Sequence, residues 1–314
     1  MLNRRECMGL FAGAALAFDA RLLLAAESAL LKRRIPSTGE ELPVVGLGSS
    51  ASFGQVARTD DVSALKEVLR LMAEKGATVL DTAPSYGASE EVAGKLAGEL
   101  GVTNRIFWAT KVNVVRGGGG SADPAAARQQ IEDSFRKFNV PKIDLIQVHN
   151  LRDTPTHLSV LREFRKQDRV RYLGVTTTNP SQYEDLVQLM RNEPIDFIGI
   201  DYALDNRDVE DTILPLAQQK KIAVMVYVPF GRNSLFRRVG NRPLPDWARE
   251  LDARSWAQFF LKYVIAHPAV TVVTPATSKA SHMADNLAAA TGKLPDETLR
   301  KRMASFIDSL PAAS

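Results

Sequence analysis

The chain has 314 residues, 45% hydrophobic and 24% charged, which is apolar enough to bury a large core and too apolar for a disordered or fibrous chain. Lysine and arginine number 40 against 36 acidic residues, a formal charge of +4 that is thin and dispersed; with no basic stripe interleaved with aromatics, it argues against nucleic acid. One cysteine excludes an internal disulfide framework and a four-cysteine zinc site, and four histidines without an HExxH motif argue against a histidine-rich metal centre.

The N-terminus differs in composition from everything after it. Arg4 and Arg5 precede an uncharged, small and apolar run over residues 8–18, with Ala15-Leu16-Ala17 as a candidate cleavage site. That order is the pattern of a secretory signal, and the paired arginines resemble the twin-arginine type, which exports folded proteins. Cys7 and Met8 stand where that motif prefers Phe and Leu. Asp19 and Arg21 interrupt the apolar stretch before it reaches about 18 residues, which argues against stable membrane insertion. Residues 1–26 are therefore expected to be an export segment that engages the export machinery and sends the protein to the periplasm. The alternative is an amphipathic helix that stays attached to a cytoplasmic protein.

Beyond about residue 34 the chain alternates between short apolar runs and longer helical patterns. Strands are expected over 43–48, 79–82, 106–111, 143–148, 170–175, 197–200, 222–226 and 270–274, and helices over 61–75, 89–100, 124–138, 157–167, 181–190, 208–220, 254–266 and 279–290. Asp123-Pro124 and Asn179-Pro180 each put a capping residue before a proline at the first helical position. Eight short, continuously apolar strands alternating with helices read as parallel units buried on both faces, closing into a single-domain (β/α)₈ TIM barrel over residues 35–310. Residues 35–43 carry turn chemistry and are expected to form a hairpin closing the barrel floor. Residues 229–252 are a long connection rich in Gly, Pro, Asn and Arg, read as a lid or a disordered insertion. An extra C-terminal helix is expected over 296–308. The turn Gly46-Leu47-Gly48-Ser49-Ser50-Ala51 imitates a dinucleotide fingerprint, but no helix is expected directly after it, so a two-domain dehydrogenase is disfavoured.

Polar residues at predicted strand ends carry the chemistry, because active sites of such barrels sit there. Asp81 ends the second strand, Lys111 the third and His149 the fourth, with Tyr86 five residues past Asp81 on the same loop. A tyrosine and a lysine alone are poor acids and bases at neutral pH, but an ammonium beside a phenol favours phenolate and makes the tyrosine a competent proton donor. Asp81 would keep the lysine charged, and His149 would orient a carbonyl oxygen. The set lacks a nucleophile with its base and lacks metal ligands, so it suits carbonyl reduction with a hydride brought by a cofactor. His157, His267 and His282 read as surface or helix residues. Phe53, Trp108, Phe230 and Phe236 are candidate walls of an apolar pocket, each equally plausible as a core residue.

The segment Asp81-Thr-Ala-Pro-Ser-Tyr86-Gly-Ala-Ser-Glu, with Ala109-Thr110-Lys111 and Val148-His149, resembles the signature of the aldo-keto reductase family, and the likeness covers the chain from Ile35 to about Leu310. The resemblance implies that Tyr86 is the proton donor, Lys111 and Asp81 tune it, and His149 positions the carbonyl of a small aldehyde or ketone. It also implies a nicotinamide cofactor, NADPH with NADH as the alternative. Residues 272–279 with His282, Asp285 and Asn286 look like the family's segment for the adenosine end, so Pro275, Thr277, Lys279, His282, Asp285 and Asn286 are expected cofactor contacts, Lys279 with a 2′-phosphate. Gly48, Ser49, Asp81 and Thr176 border the expected cofactor, and Tyr227 matches the ring-stacking tyrosine. Thr176-Thr177 stands where the family usually has Ser-Asn, and Gly199 where a glutamine often binds the carboxamide. A second function class stays open on those departures: a barrel that binds cofactor and serves as a redox sensor or scaffold with little turnover.

Overall fold

The computed structural model describes residues 29–115 and 120–311. The export-segment expectation for residues 1–26 lies outside them. Strands β1 (Lys32–Arg34) and β2 (Glu41–Pro43) pair antiparallel into the floor hairpin. The eight strands β3 (Leu47–Gly48), β4 (Val79–Asp81), β5 (Phe107–Val112), β6 (Ile143–His149), β7 (Val170–Thr177), β8 (Phe197–Asp201), β9 (Ala223–Tyr227) and β10 (Val270–Val273) follow one another in a single parallel sheet. Parallel bridges Val45 to Val273 and Gly48 to Ala276 join its ends, so the sheet closes into the expected barrel.

Helices α1 (Ser52–Val56), α2 (Ser63–Glu74), α3 (Ser89–Glu99), α4 (Pro124–Phe138), α5 (Thr154–Lys166), α6 (Tyr183–Asn192), α7 (Ile213–Lys220), α8 (Ser234–Val239), α9 (Trp256–Ala266), α10 (Ala280–Ala288) and α11 (Glu297–Asp308) surround it. The capping expectations hold: Asp123 accepts from Ala125 N, and Asn179 from Ser181 N. Inward side chains alternate with period two along each strand. Ile35 and Leu42 seal the bottom of the barrel against Phe107, Tyr172 and Phe197, while outward residues such as Val148, Ile198 and Val226 join the larger core beneath the helices.

The structure corrects two expectations and narrows two others. The hairpin begins at Lys32 rather than Ile35, because residues 35–40 form its turn, closed by Ile35 N donating to Glu40 O at 2.7 Å. A five-residue helix, α1, does open after the Gly46–Ala51 turn. Gly54 is tolerated in it because the helix packs so close that a β-carbon there would meet Ser89 Oγ at 3.2 Å and the Ser49 and Tyr86 carbonyls at 3.3 Å. Residues 229–252 are neither disordered nor structureless: they hold α8 and two short 3₁₀ segments, and Leu235, Val239, Ala248 and Leu251 enter the core. His157 is the helix residue of the two alternatives rather than a surface one: it lies fully buried on α5, where its ring accepts from Val114 N at 3.2 Å and donates to Arg152 O at 2.8 Å. None of the described helices is long and apolar enough to cross a membrane.

Candidate active site

Asp81, Lys111 and His149 each sit where an apolar strand runs out. Asp81 is the last residue of β4 and His149 the last of β6, while Lys111 is the penultimate residue of β5. All three point inward by strand parity. Tyr86 is placed by a 3₁₀ turn, Pro84–Tyr86, that proline starts and Gly87, at φ +66°, ends. Ser89 fixes that turn by donating to the carbonyls of Tyr86 (2.9 Å) and Ser49 (3.0 Å). Glu90, the last residue of the signature, is not part of the site. It is buried and accepts from Thr110 (2.7 Å), Ser134 (2.8 Å) and Lys137 (2.9 Å), tying α3 to β5 and α4.

The structure brings the four expected catalytic residues together. Lys111 Nζ donates to both oxygens of Asp81 at 2.9 and 2.7 Å and to Thr82 O at 2.8 Å, with both side chains almost wholly buried. The ammonium lies between two tyrosine rings, 5.0 Å from the centroids of Tyr86 and Tyr227. Burial alone would lower Lys111, but Asp81 and then Tyr86 outweigh it and hold the lysine above its ordinary value. Burial pushes Asp81 upward, opposed by Lys111 and by a hydrogen bond from Tyr227. The Tyr86 and His149 rings meet edge to face at 5.9 Å. Burial, reinforced by Lys111, lowers His149 to about 3, so the imidazole is neutral at physiological pH.

These groups floor a cavity of about 410 Å³, a volume ordinary for a small-molecule site. Of the expected cofactor contacts, Gly48, Asp81, Thr176, Tyr227 and Pro275 line it. Gly48 allows the backbones after β3 and β10 to approach: a β-carbon there would stand 2.5 Å from Thr274 O. Ser49 lies buried behind the wall, its N–H donating to Asp81 O at 2.9 Å and its hydroxyl without a partner among the described residues. Thr277, Lys279, His282, Asp285 and Asn286 lie beyond the cavity, on the approach to α10 and on α10 itself. Thr277 Oγ1 accepts from Lys279 N at 3.1 Å, Lys279 and His282 are exposed, and Asn286 is buried. Asp285 is engaged with the start of α9, accepting from Ser255 at 2.7 Å and Gln258 at 2.6 Å.

Sequence reasoning missed much of the opposite wall. Val228, Pro229, Arg232 and Asn233 line the cavity from the loop after β9, with Ser50, Ala51, Asn150 and Thr178 on other rims. Val228, Gly231, Arg232 and Asn233 all have φ between +52° and +72°, a backbone reversal signalled in the sequence only by Pro229, Gly231 and Asn233. Of the four candidate aromatic walls, only Phe230 reaches the cavity; Phe53 and Trp108 are core, and Phe236 packs behind Phe230 at 5.0 Å. Gln147, two residues before His149 and therefore also inward, was the other omission. Among the described residues no group of three or more potential ligands could hold a metal ion.

A model of the Aldo/keto reductase family matches residues 44–305, taking in every member of this cluster. The chain belongs to that family. It is 29% identical over 205 residues to aldo-keto reductase YhdN of Bacillus subtilis (strain 168), a match spanning 62% of this chain and 60% of that protein. To aldo-keto reductase str7 of Strobilurus tenacellus it is 28% identical over 291 residues, 81% of this chain and 83% of the relative. Its fold matches a solved aldo-keto reductase from Klebsiella pneumoniae in complex with NADPH, with a TM-score of 0.72 at 23% identity over 89% of this chain and 95% of that one. Within this aldo/keto reductase, Arg232 stands exposed on the cavity rim with one side-chain hydrogen bond among the described residues, to Thr178 Oγ1 at 3.3 Å, and Lys279 stands exposed at the start of α10. Neither cation is paired with a carboxylate among the described residues, and the start of α10 offers a shelf of backbone N–H groups of the kind that suits a phosphate.

Proposed function

We propose that this protein reduces an aldehyde or ketone to an alcohol with NADPH. One observation carries the reading: a buried, carboxylate-locked ammonium lies beneath a tyrosine at the floor of an open cavity, beside a neutral imidazole. Tyr227, Thr176, Gly48 and Pro275 would hold the nicotinamide end, and Arg232 and Lys279 the phosphates. Bound NADPH supplies the hydride. Tyr86 gives its proton to the developing alkoxide, and Lys111, 5.0 Å from the ring centroid, stabilises the phenolate that remains. Asp81 keeps Lys111 charged and fixed. His149, being neutral, offers one ring N–H to the carbonyl oxygen and so aims the substrate without competing for the proton.

The test is oxidation of NADPH, and in parallel NADH, by the purified protein with a panel of small aldehydes and ketones. Carbonyl-dependent consumption is expected, faster with NADPH; cofactor binding without consumption by any member would favour the sensor or scaffold reading instead. We further propose that residues 1–26 direct export to the periplasm, on the strength of Arg4, Arg5 and the apolar run over 8–18. A folded, cofactor-loaded barrel is a cargo that the twin-arginine route accepts. Cell fractionation tests this: loss of the periplasmic fraction on changing Arg4 and Arg5 to Lys is expected, and an unaltered chain found wholly in the cytoplasm would overturn it.

A further inference from the structure

The floor of the cavity holds a buried polar chain that neither the proton donation nor the cofactor shelf requires. Tyr227 points inward by the alternation of β9, alongside Ala223 and Met225. Its ring faces the cavity, but its hydroxyl reaches down to Asp81 Oδ1 at 3.1 Å, and Gln147 Nε2 reaches the same hydroxyl at 2.7 Å. A carboxylate only accepts, so the Tyr227 proton goes to Asp81, and the Gln147 amide must therefore donate to Tyr227. That orientation leaves Gln147 Oε1 buried with no partner among the described residues, a cost the fold accepts to keep the donor in place.

Room for this chain comes from two glycines on adjacent strands. A β-carbon on Gly174 would lie 3.0 Å from Gln147 Cγ, and one on Gly199 would lie 2.9 Å from Gln147 Oε1 and 2.4 Å from Tyr227 Cε2. Gln147 thus crosses above β7 in a trough, and the Tyr227 ring lies down over β8 where a side chain at 199 would otherwise stand. We infer that Gln147 and the Tyr227 hydroxyl form a positioning relay that holds Asp81, and through it Lys111, beneath Tyr86, in the space that Gly174 and Gly199 leave open. Tyr227 then has two separable roles: its ring faces the cofactor, and its hydroxyl acts through Asp81.

The titratable groups acting on Asp81 are Lys111 from β5 and Tyr227 from β9, and Tyr86 from the turn after β4 and His149 from β6 line the same cavity. Lys111 and Tyr227 donate to it. Burial, then the Asp81 charge, hold the Tyr227 phenol far above its ordinary value, so it stays a donor across the working pH range. Removing it takes away a group that lowers Asp81, and Asp81 then titrates at higher pH.

Tyr227→Phe keeps the ring and deletes the hydroxyl. In the ligand-free protein, the Asp81 carboxyl followed by carbon-13 NMR is expected to titrate about 0.5–1 pH unit higher than in the parent. That readout is independent of turnover, so it stands or falls separately from the reductase reading on which the kinetics rest. In turnover, kcat is expected to fall about tenfold, roughly the worth of one hydrogen bond to a charged group, with the NADPH KM changed less than about threefold and the acid limb moved up with Asp81. Gln147→Leu, which leaves ring and hydroxyl intact, is expected to move both quantities the same way by less, and it decides the matter if Tyr227→Phe fails to fold. An unchanged Asp81 titration, or a Tyr227→Phe protein whose only defect is weaker NADPH binding, would overturn the relay.

Discussion

Replacing Lys111 with methionine removes one end of the buried ion pair while keeping its volume. The parent ammonium satisfies Asp81 at 2.7 and 2.9 Å, and in the variant the carboxylate, still shut from water, keeps only Tyr227 at 3.1 Å among the described residues. Breaking a buried pair from one side costs about 3–5 kcal/mol because it strands a charge. Asp81 escapes by taking up a proton, so the loss depends on pH. Its folded-state titration in the variant lies above the unfolded value, so the penalty is absent at low pH and grows as pH rises toward that folded value, by up to about 1.4 kcal/mol per pH unit. Urea midpoints, with slopes checked for constancy, should place Lys111→Met well below the parent at pH 8 and closer to it at pH 5. The double variant Asp81→Asn/Lys111→Met, which strands no charge, should recover most of the loss. A loss under about 1 kcal/mol at pH 8, or one that is the same at both pH values, would refute the claim that the pair is buried and charged.

Other outcomes follow from single contacts. Gly94 on α3 touches α4 so closely that a β-carbon would fall 2.0 Å from Lys137 O, so Gly94→Ala should cost at least about 1–3 kcal/mol in a melt, with Gly98→Ala, which meets nothing within 4 Å, as the harmless control. His149 is depressed to about 3 against 6.5 unfolded, so it contributes stability above pH 6.5 that is lost as pH falls toward 3; His149→Asn should lose less stability between pH 7 and 4 than the parent, and equal loss would contradict the burial argument. Lys279→Met should reduce the preference for NADPH over NADH by about tenfold while sparing kcat, the expectation for one charged contact to a 2′-phosphate; an unchanged preference would place that phosphate elsewhere.

What was legible in the sequence depended on how few places a residue could occupy. A polar residue closing an apolar strand in a barrel can only face the open end, which is why Asp81, Lys111 and His149 converged as expected. Gln147 obeys the same parity, yet it interrupts the apolar run of β6 and carries no sign of its role, because that role depends on two glycines from β7 and β8. The start of the hairpin was not legible because its anchor is long-range: Arg33 donates to the carbonyls of Ile265, His267 and Val270 at 2.5–2.6 Å, which draws the hairpin start forward to Lys32. The loop after β9 was visible as a long connection, but its run of left-handed residues depends on the Val228 O to Gly231 N turn (3.0 Å) and the packing of Leu235 and Leu251. The aromatic candidates stayed open between wall and core for a related reason: composition cannot tell a ring at a cavity wall from one in a core.

The central claim is that Tyr86 delivers the proton while its neighbours only tune and aim it. It is tested most directly by NADPH oxidation with an accepted aldehyde, comparing the parent with Tyr86→Phe while cofactor binding is followed by fluorescence. A fall in kcat of about 10²–10⁴-fold with NADPH affinity retained is expected, the range for loss of a general acid. Equal rates in the two proteins would contradict the assignment of Tyr86 and with it this account of the site.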